Sequence, residues 1–129
     1  MRALIQAIKV FFDAEVTFKA ALTGGLHLSW VPNDQSPPYC FFTVREDPFW
    51  AFDTNYEHYV LNFFLVSDAT SADEITSLYD KLKDCFDEAA LTVTGYHAIR
   101  FWRKPSNDIQ YVDTRWMLGV EYECNLEES

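Results

Sequence analysis

Three histidines, three cysteines and a surplus of carboxylates are the residues of this chain that carry chemistry, and their spacing decides which chemistry is open to them. His27, His58 and His97 fall on three different predicted strands, with no ligand spacing between them. Cys40, Cys85 and Cys124 are odd in number, far apart and without a Cys-x-x-Cys, so they read as reduced, buried thiols rather than a disulfide or a metal set. Cys85 lies on a helical apolar stripe and Cys40 in an apolar strand, where a thiol has no activating base. There is no Gly-x-Ser-x-Gly elbow. With four glycines in all, the chain holds neither a Gly-x-Gly-x-x-Gly turn nor a P-loop. Adjacent carboxylates such as Glu46 with Asp47 and Asp53 with Glu57 can divide acid and base roles where their environments differ. Among 20 acidic residues they read as solvated loop charges. The expectation is a protein with no catalytic residues, no metal site and no cofactor.

Two groups point instead to contacts. Arg100, Arg103 and Lys104 are interleaved with Phe101 and Trp102, a pattern that serves single-stranded nucleic acid when the surrounding charge is positive. Here the formal net charge is −10, which repels phosphate backbones and anionic membranes alike. The patch therefore reads as a hairpin arm that meets an acidic neighbour subunit, with Asp84 and Asp87 on the second helix as its expected counterpart. The second group is Phe49, Trp50 and Phe52, three aromatics in a predicted connection. Either they fold back over the sheet, or they are exposed and mark a partner surface.

The elements that must position these groups follow from hydrophobic periodicity. Leu4, Ile8, Phe11, Phe18 and Leu22 recur at helical spacing, and predict one amphipathic helix over Leu4 to Leu22, ended by Gly24 or Gly25. Leu26 to Trp30 and Tyr39 to Val44 read as strands around a Pro-rich loop. Tyr56 to Val66 is apolar on both faces and predicts a central strand covered on both sides. Ser71 and Glu74 have the spacing of a capping box, and Ile75, Leu78, Leu82, Cys85, Phe86 and Ala89 give the helix that follows its buried stripe. Thr92 to Lys104 and Ile109 to Cys124 read as two long strands with a turn at Pro105 to Asp108, and Asn125 to Ser129 as an acidic tail. The order α-β-β-β-α-β-β with short turns predicts an α+β fold: a mainly antiparallel sheet with two helices packed on it.

At 129 residues, 49% hydrophobic and 17% aromatic, the chain suits a single domain over 1–129 with its own core. No apolar run approaches the roughly 20 residues that cross a bilayer, and Lys9, Asp13 and Glu15 interrupt the first helix too early for a signal peptide. A soluble protein assembled in the cytoplasm is expected.

The order of elements, with Thr23-Gly24-Gly25 closing the first helix, the Pro38-Tyr39 strand head, Ser67-Asp68-Ala69 after the third strand, Leu91-Thr92-Val93-Thr94-Gly95 after the second helix and a long closing strand from Tyr111 to Cys124, resembles the tail-completion or tail-terminator proteins of long-tailed bacteriophages. The likeness runs from about Leu4 to Glu123. The aromatic segment Phe49 to Phe52 departs from the family pattern. The resemblance implies a non-enzymatic virion protein of the tail and neck. It implies a ring, usually hexameric, that caps the tail tube and joins it to the head-side connector, with DNA passing through its lumen unbound. Two other readings stay beside it. One is a small enzyme or ligand-binding domain, its pocket lined by Trp30, Trp102 and Trp116 with His58, His97 and a carboxylate converging. The other is an adaptor that binds one partner through the aromatic loop.

Overall fold

The computed structural model describes residues 1–47, 56–87 and 89–128, of which 98, 105 and 106 by backbone alone. Among these the order is α1 (Arg2–Ala14), α2 (Val16–Ala21), β1 (Leu26–Leu28), β2 (Tyr39–Asp47), β3 (Tyr56–Ser67), α3 (Asp73–Phe86), β4 (Tyr96–Val112) and β5 (Arg115–Glu128). The five strands form one sheet in the order β1-β2-β3-β5-β4. All pairs are antiparallel except β1 with β2, which is parallel. The class is α+β, as expected. The parallel pair at one edge and a third helix are the departures.

Strand alternation sorts the sheet into two faces. Leu61, Phe63 and Leu65 of β3, Cys40 and Phe42 of β2, Leu118, Val120 and Tyr122 of β5 and Phe101 of β4 join the helices in one buried cluster. The helices contribute Leu4, Ile8, Phe12, Phe18, Ile75, Leu78, Leu82 and Phe86. Phe63 sits at its centre, with ring centroids 5.0 Å from Phe86, 5.5 Å from Phe42 and 5.6 Å from Tyr122. Of the other β3 face, Val60 and Val66 are buried but lie outside that cluster, while His58, Asn62 and Phe64 stay partly exposed. β3 is central, but among the described residues it is covered by helices on one side only.

The first helix is broken where one continuous helix was expected. Glu15 leaves helical geometry at φ −88°, ψ 87°, and α2 turns to pack against α3. The break places Phe18 edge-on to Phe12 at 5.4 Å and moves Val16 off the stripe to 75% exposure. The capping box is also not formed. Ala72 is the N-cap, and Ser71 Oγ receives only a long bond from the Asp73 N–H, at 3.4 Å. Glu74 instead accepts from Ser67 Oγ at 2.6 Å. Ser67 is fully buried, so its hydroxyl claims the nearest carboxylate, a stronger acceptor than any neutral group.

The two glycines after α2 have separate duties. Gly25 takes φ +85°, the left-handed conformation that glycine adopts without strain. Gly24 is held by crowding: a Cβ there would meet the Ser36 carbonyl, and would stand 2.8 Å from both Pro38 O and Tyr39 Cβ. Its N–H donates to Pro38 O at 2.8 Å, tying the helix end to the head of β2.

The largest correction concerns the hairpin. Pro105 to Asp108 is not the turn. β4 runs through it with a register shift between Arg103 and Asn107, and the turn lies at Asp113-Thr114, where φ is 53° and 63°. Positive φ at both central residues matches the twist of a two-residue hairpin. A proline that lacks its N–H is tolerated at an irregularity on an edge strand. Ile109 to Val112 therefore belongs to β4, and the expected acidic tail continues β5 to Glu128. The buried alternation of β5 follows the expected face through Leu118, Val120 and Tyr122 and extends to Cys124 and Leu126.

Candidate interaction surfaces

The expected basic patch is divided by strand alternation. Arg103 turns to the helix side, where its Nε donates to both Asp87 carboxylate oxygens at 3.0 and 3.2 Å. Tyr122 donates to the same carboxylate at 2.5 Å, and Asn107 Nδ2 and Arg103 Nη1 donate to Tyr79 Oη at 2.7 and 3.3 Å. The α3 end and the β4 irregularity are thus joined by one polar network. Arg103 is held above its ordinary pKa by the Asp87 hydrogen bond. Burial first, then Asp87, pushes the Tyr122 phenol up. The contact foreseen between neighbouring subunits for Arg103 and Asp87 is made inside one chain. Asp84 lies one turn away on the exposed surface of α3.

Arg100, Trp102 and Lys104 belong to the opposite, open face. The Arg100 guanidinium stacks 4.7 Å from the Trp102 ring, whose centroid is 6.1 Å from His58. His58 Nδ1 and Asn125 Oδ1 are 2.5 Å apart, and Lys104 reaches Glu123 at 3.7 Å. Farther along the same face, Tyr39, Phe41, Val66, Val112, Arg115 and Met117 line an open groove of about 450 Å³, across which Arg115 donates to Tyr39 Oη at 3.0 Å. Phe41 stacks on Phe64 beside it at 5.0 Å. The β4–β5 hairpin carries exposed apolar side chains on both faces: Val112 at 55% and Met117 at 38% in the groove, and Ile109 at 41% and Tyr111 at 56% on the face shared with Leu118 and Trp116. Trp30, just past β1, is 70% exposed. Phe49, Trp50 and Phe52 lie outside the described residues.

The hairpin residues and the groove were not among the expected contacts. Asp108 to Val112 does alternate in the sequence, but placing the turn at Pro105 split this stretch from its own strand. Nothing local could pair Tyr39 with Arg115, 76 positions apart.

The pocket needed by the enzyme reading is not assembled among the described residues. His58 and His97 engage different carboxylates, Glu123 and Glu127. Trp102 lies on the open face, Trp116 packs on Tyr111 at 4.8 Å, and Trp30 stands past the far edge. No group of His, Cys, Asp and Glu able to hold a metal occurs among the described residues. No described helix is long and apolar enough to cross a membrane.

The three cysteines are free and buried. Burial pushes the Cys85 and Cys124 thiols up to about 12 and drives Cys40 the same way. The Tyr96 phenol, which donates to Glu57, is likewise raised to about 12, chiefly by that bond. Groups whose pKa is raised by folding stabilise the fold fully below their unfolded pKa, about 8.5 for a thiol and about 10 for a phenol, and lose that contribution as pH rises toward the folded value. The denaturant midpoint is therefore expected to hold near pH 7 and to fall between about pH 9 and 11. The native chain should resist Ellman's reagent at pH 7.5 and react fully in denaturant. A fast-reacting thiol in the native protein would contradict this burial.

Together the described elements define an α+β scaffold with an open groove on one face and exposed apolar side chains on the β4–β5 hairpin. No protein-family model and no curated protein matches the sequence. Solved structures do share the fold. A chain from the virion of a native gene transfer agent particle superposes with a TM-score of 0.75 at 14% identity, covering 91% of this chain and 89% of its own length. A second solved chain matches with a TM-score of 0.68 at 16% identity, over 96% of both chains.

Proposed function

We propose that this protein is a structural component of a phage-like virion, and within it the terminator that closes the tail. The fold shared over nine-tenths of both chains with a gene transfer agent virion protein carries the reading. The order of elements that resembles tail terminators supports it from the sequence side. In this reading the protein forms a ring, of six copies by the family's habit, which caps the tail tube and receives the head-side connector. A ring needs two different complementary surfaces on each subunit. The exposed hairpin and the far sheet edge around Trp30 are the candidates, joined by Arg100, Trp102, Lys104 and Asp84 as further contacts. The −10 charge suits a lumen through which DNA passes without binding. The function is structural, needs no cofactor, and places the protein in the tail and neck after assembly in the host cytoplasm.

The test is electron microscopy of the purified protein mixed with tail tubes. Rings seated on tube ends, and tubes of fixed length that accept heads, are the expected result. A protein that stays monomeric and never occupies tube ends overturns the proposal.

A further inference from the structure

The sheet ends in two different edges. One edge is β1, the other β4, and among the described residues neither has an outer partner strand. The register places both at one level: His27 pairs with Phe41, Phe41 with Phe64, Phe64 with Gly119 and Gly119 with Asp108. Following the pairings across the sheet, one parallel and three antiparallel, β1 and β4 run in opposite directions. A second copy set beside the first in the same orientation therefore presents β1 antiparallel to β4.

The two halves of β4 differ as edges. The first half carries Arg100, Arg103 and Lys104 and ends in the register shift at Pro105, which are devices that discourage strand addition. The second half, Asn107 to Val112, has no lysine, arginine or proline, carries a single charge at Asp108, and exposes Ile109, Tyr111 and Val112. An open edge of this kind, with a single charge, is a template for another strand. On the other side β1 is only three residues long, and Trp30 beyond it leaves 70% of its surface in solvent. Short backbone pairing supplemented by a large aromatic is a reasonable anchor, because aromatic side chains dominate contact energies.

We propose that the outer edge of Asn107–Val112 adds antiparallel to β1 of a second copy, so that sheets join edge to edge around a ring. The inference rests on the ring reading and specifies its contact. Because the two edges differ, the contact is head-to-tail and leaves one edge free on each side until the ring closes. Pairing of two β4 edges would instead make a closed dimer.

Cysteine cross-linking separates these outcomes, since directly opposed strand residues have Cβ atoms about 4.5–5.5 Å apart, near what a disulfide spans. His27→Cys is combined in turn with Asp108→Cys, Gln110→Cys and Val112→Cys, which share its face of the sheet; the three native thiols are buried. Native mass spectrometry of the unmodified protein establishes independently whether it assembles. At least one double variant should give a non-reducing ladder up to the full ring, with no ladder from any single variant. Ile109→Lys with Tyr111→Lys should lose the assembled species while circular dichroism stays unchanged. An assembling protein in which no double variant ladders overturns the edge contact and leaves the ring standing, whereas Gln110→Cys alone giving dimers, with the unmodified protein dimeric by native mass spectrometry, marks the closed β4–β4 pair and overturns both. A folded chain that does not assemble overturns both.

Discussion

Phe63→Ala should cost about 3–5 kcal/mol, the range for removing a buried phenylalanine. Phe63 is fully buried, and its ring touches those of Phe42, Phe86 and Tyr122, which come from β2, α3 and β5. The cavity would open where sheet and helix meet, and the strand backbone cannot collapse to refill it. Domains hold only about 5–15 kcal/mol in total, so the variant should melt well below the parent or be unfolded at 37 °C. The neighbouring Phe64→Ala gives the control. Phe64 faces the open side, is partly exposed and stacks on Phe41 alone among the ring contacts of the described residues. Its loss should cost roughly 1–2 kcal/mol. Chemical denaturation of the two variants measures the sidedness of the sheet. Equal losses would mean that β3 is covered equally on both faces.

Asp87→Ala should cost about 3 kcal/mol, because hydrogen bonds to charged groups contribute about 1.5–3 kcal/mol and two donors, the Arg103 Nε–H and the Tyr122 hydroxyl, lose their shared acceptor. The change strands the Tyr122 hydroxyl, on a residue with no exposed surface, and the Arg103 guanidinium. The carboxylate is one-third exposed, which keeps the figure below that of a fully buried pair. Arg103→Ala should be less damaging, since Tyr122 still donates to Asp87. The double variant should fall short of the sum, as members of one network couple. Asp84→Ala, on the exposed surface of the same helix, should stay within about 0.5 kcal/mol. The losses in Asp87→Ala, Arg103→Ala and the double variant should be independent of protein concentration. A loss that vanishes on dilution would return Arg103 and Asp87 to a contact between subunits.

That pair shows how far local reasoning reaches. The sequence reading set the basic arm with Arg103 against Asp84 and Asp87 of a neighbouring subunit, whereas the fold joins Arg103 to Asp87 within one chain. That outcome depends on the β4–β5 register, which brings Arg103 opposite Tyr122 under the end of α3. Nearness in sequence groups Arg100 and Lys104 with Arg103, but alternation sends odd and even positions to opposite faces. The hairpin turn was missed for a related reason. Pro105-Ser106-Asn107-Asp108 has the composition of a turn, whereas Asp113-Thr114 has only a modest signal, and pairing with β5 decided between them.

By itself the sequence determined the class of the fold. Apolar residues every three to four positions make helices and every second position make strands, and those periods are written in side chains without reference to partners. It also determined the core face of β5 and the buried character of the cysteines. Only the tertiary structure decided where the first helix breaks, which carboxylate Ser67 takes, which face of β3 the helices cover and where the open groove and exposed edges lie. These outcomes depend on residues far apart in the chain competing for one another. Such competition is resolved by packing and register, which no local window contains.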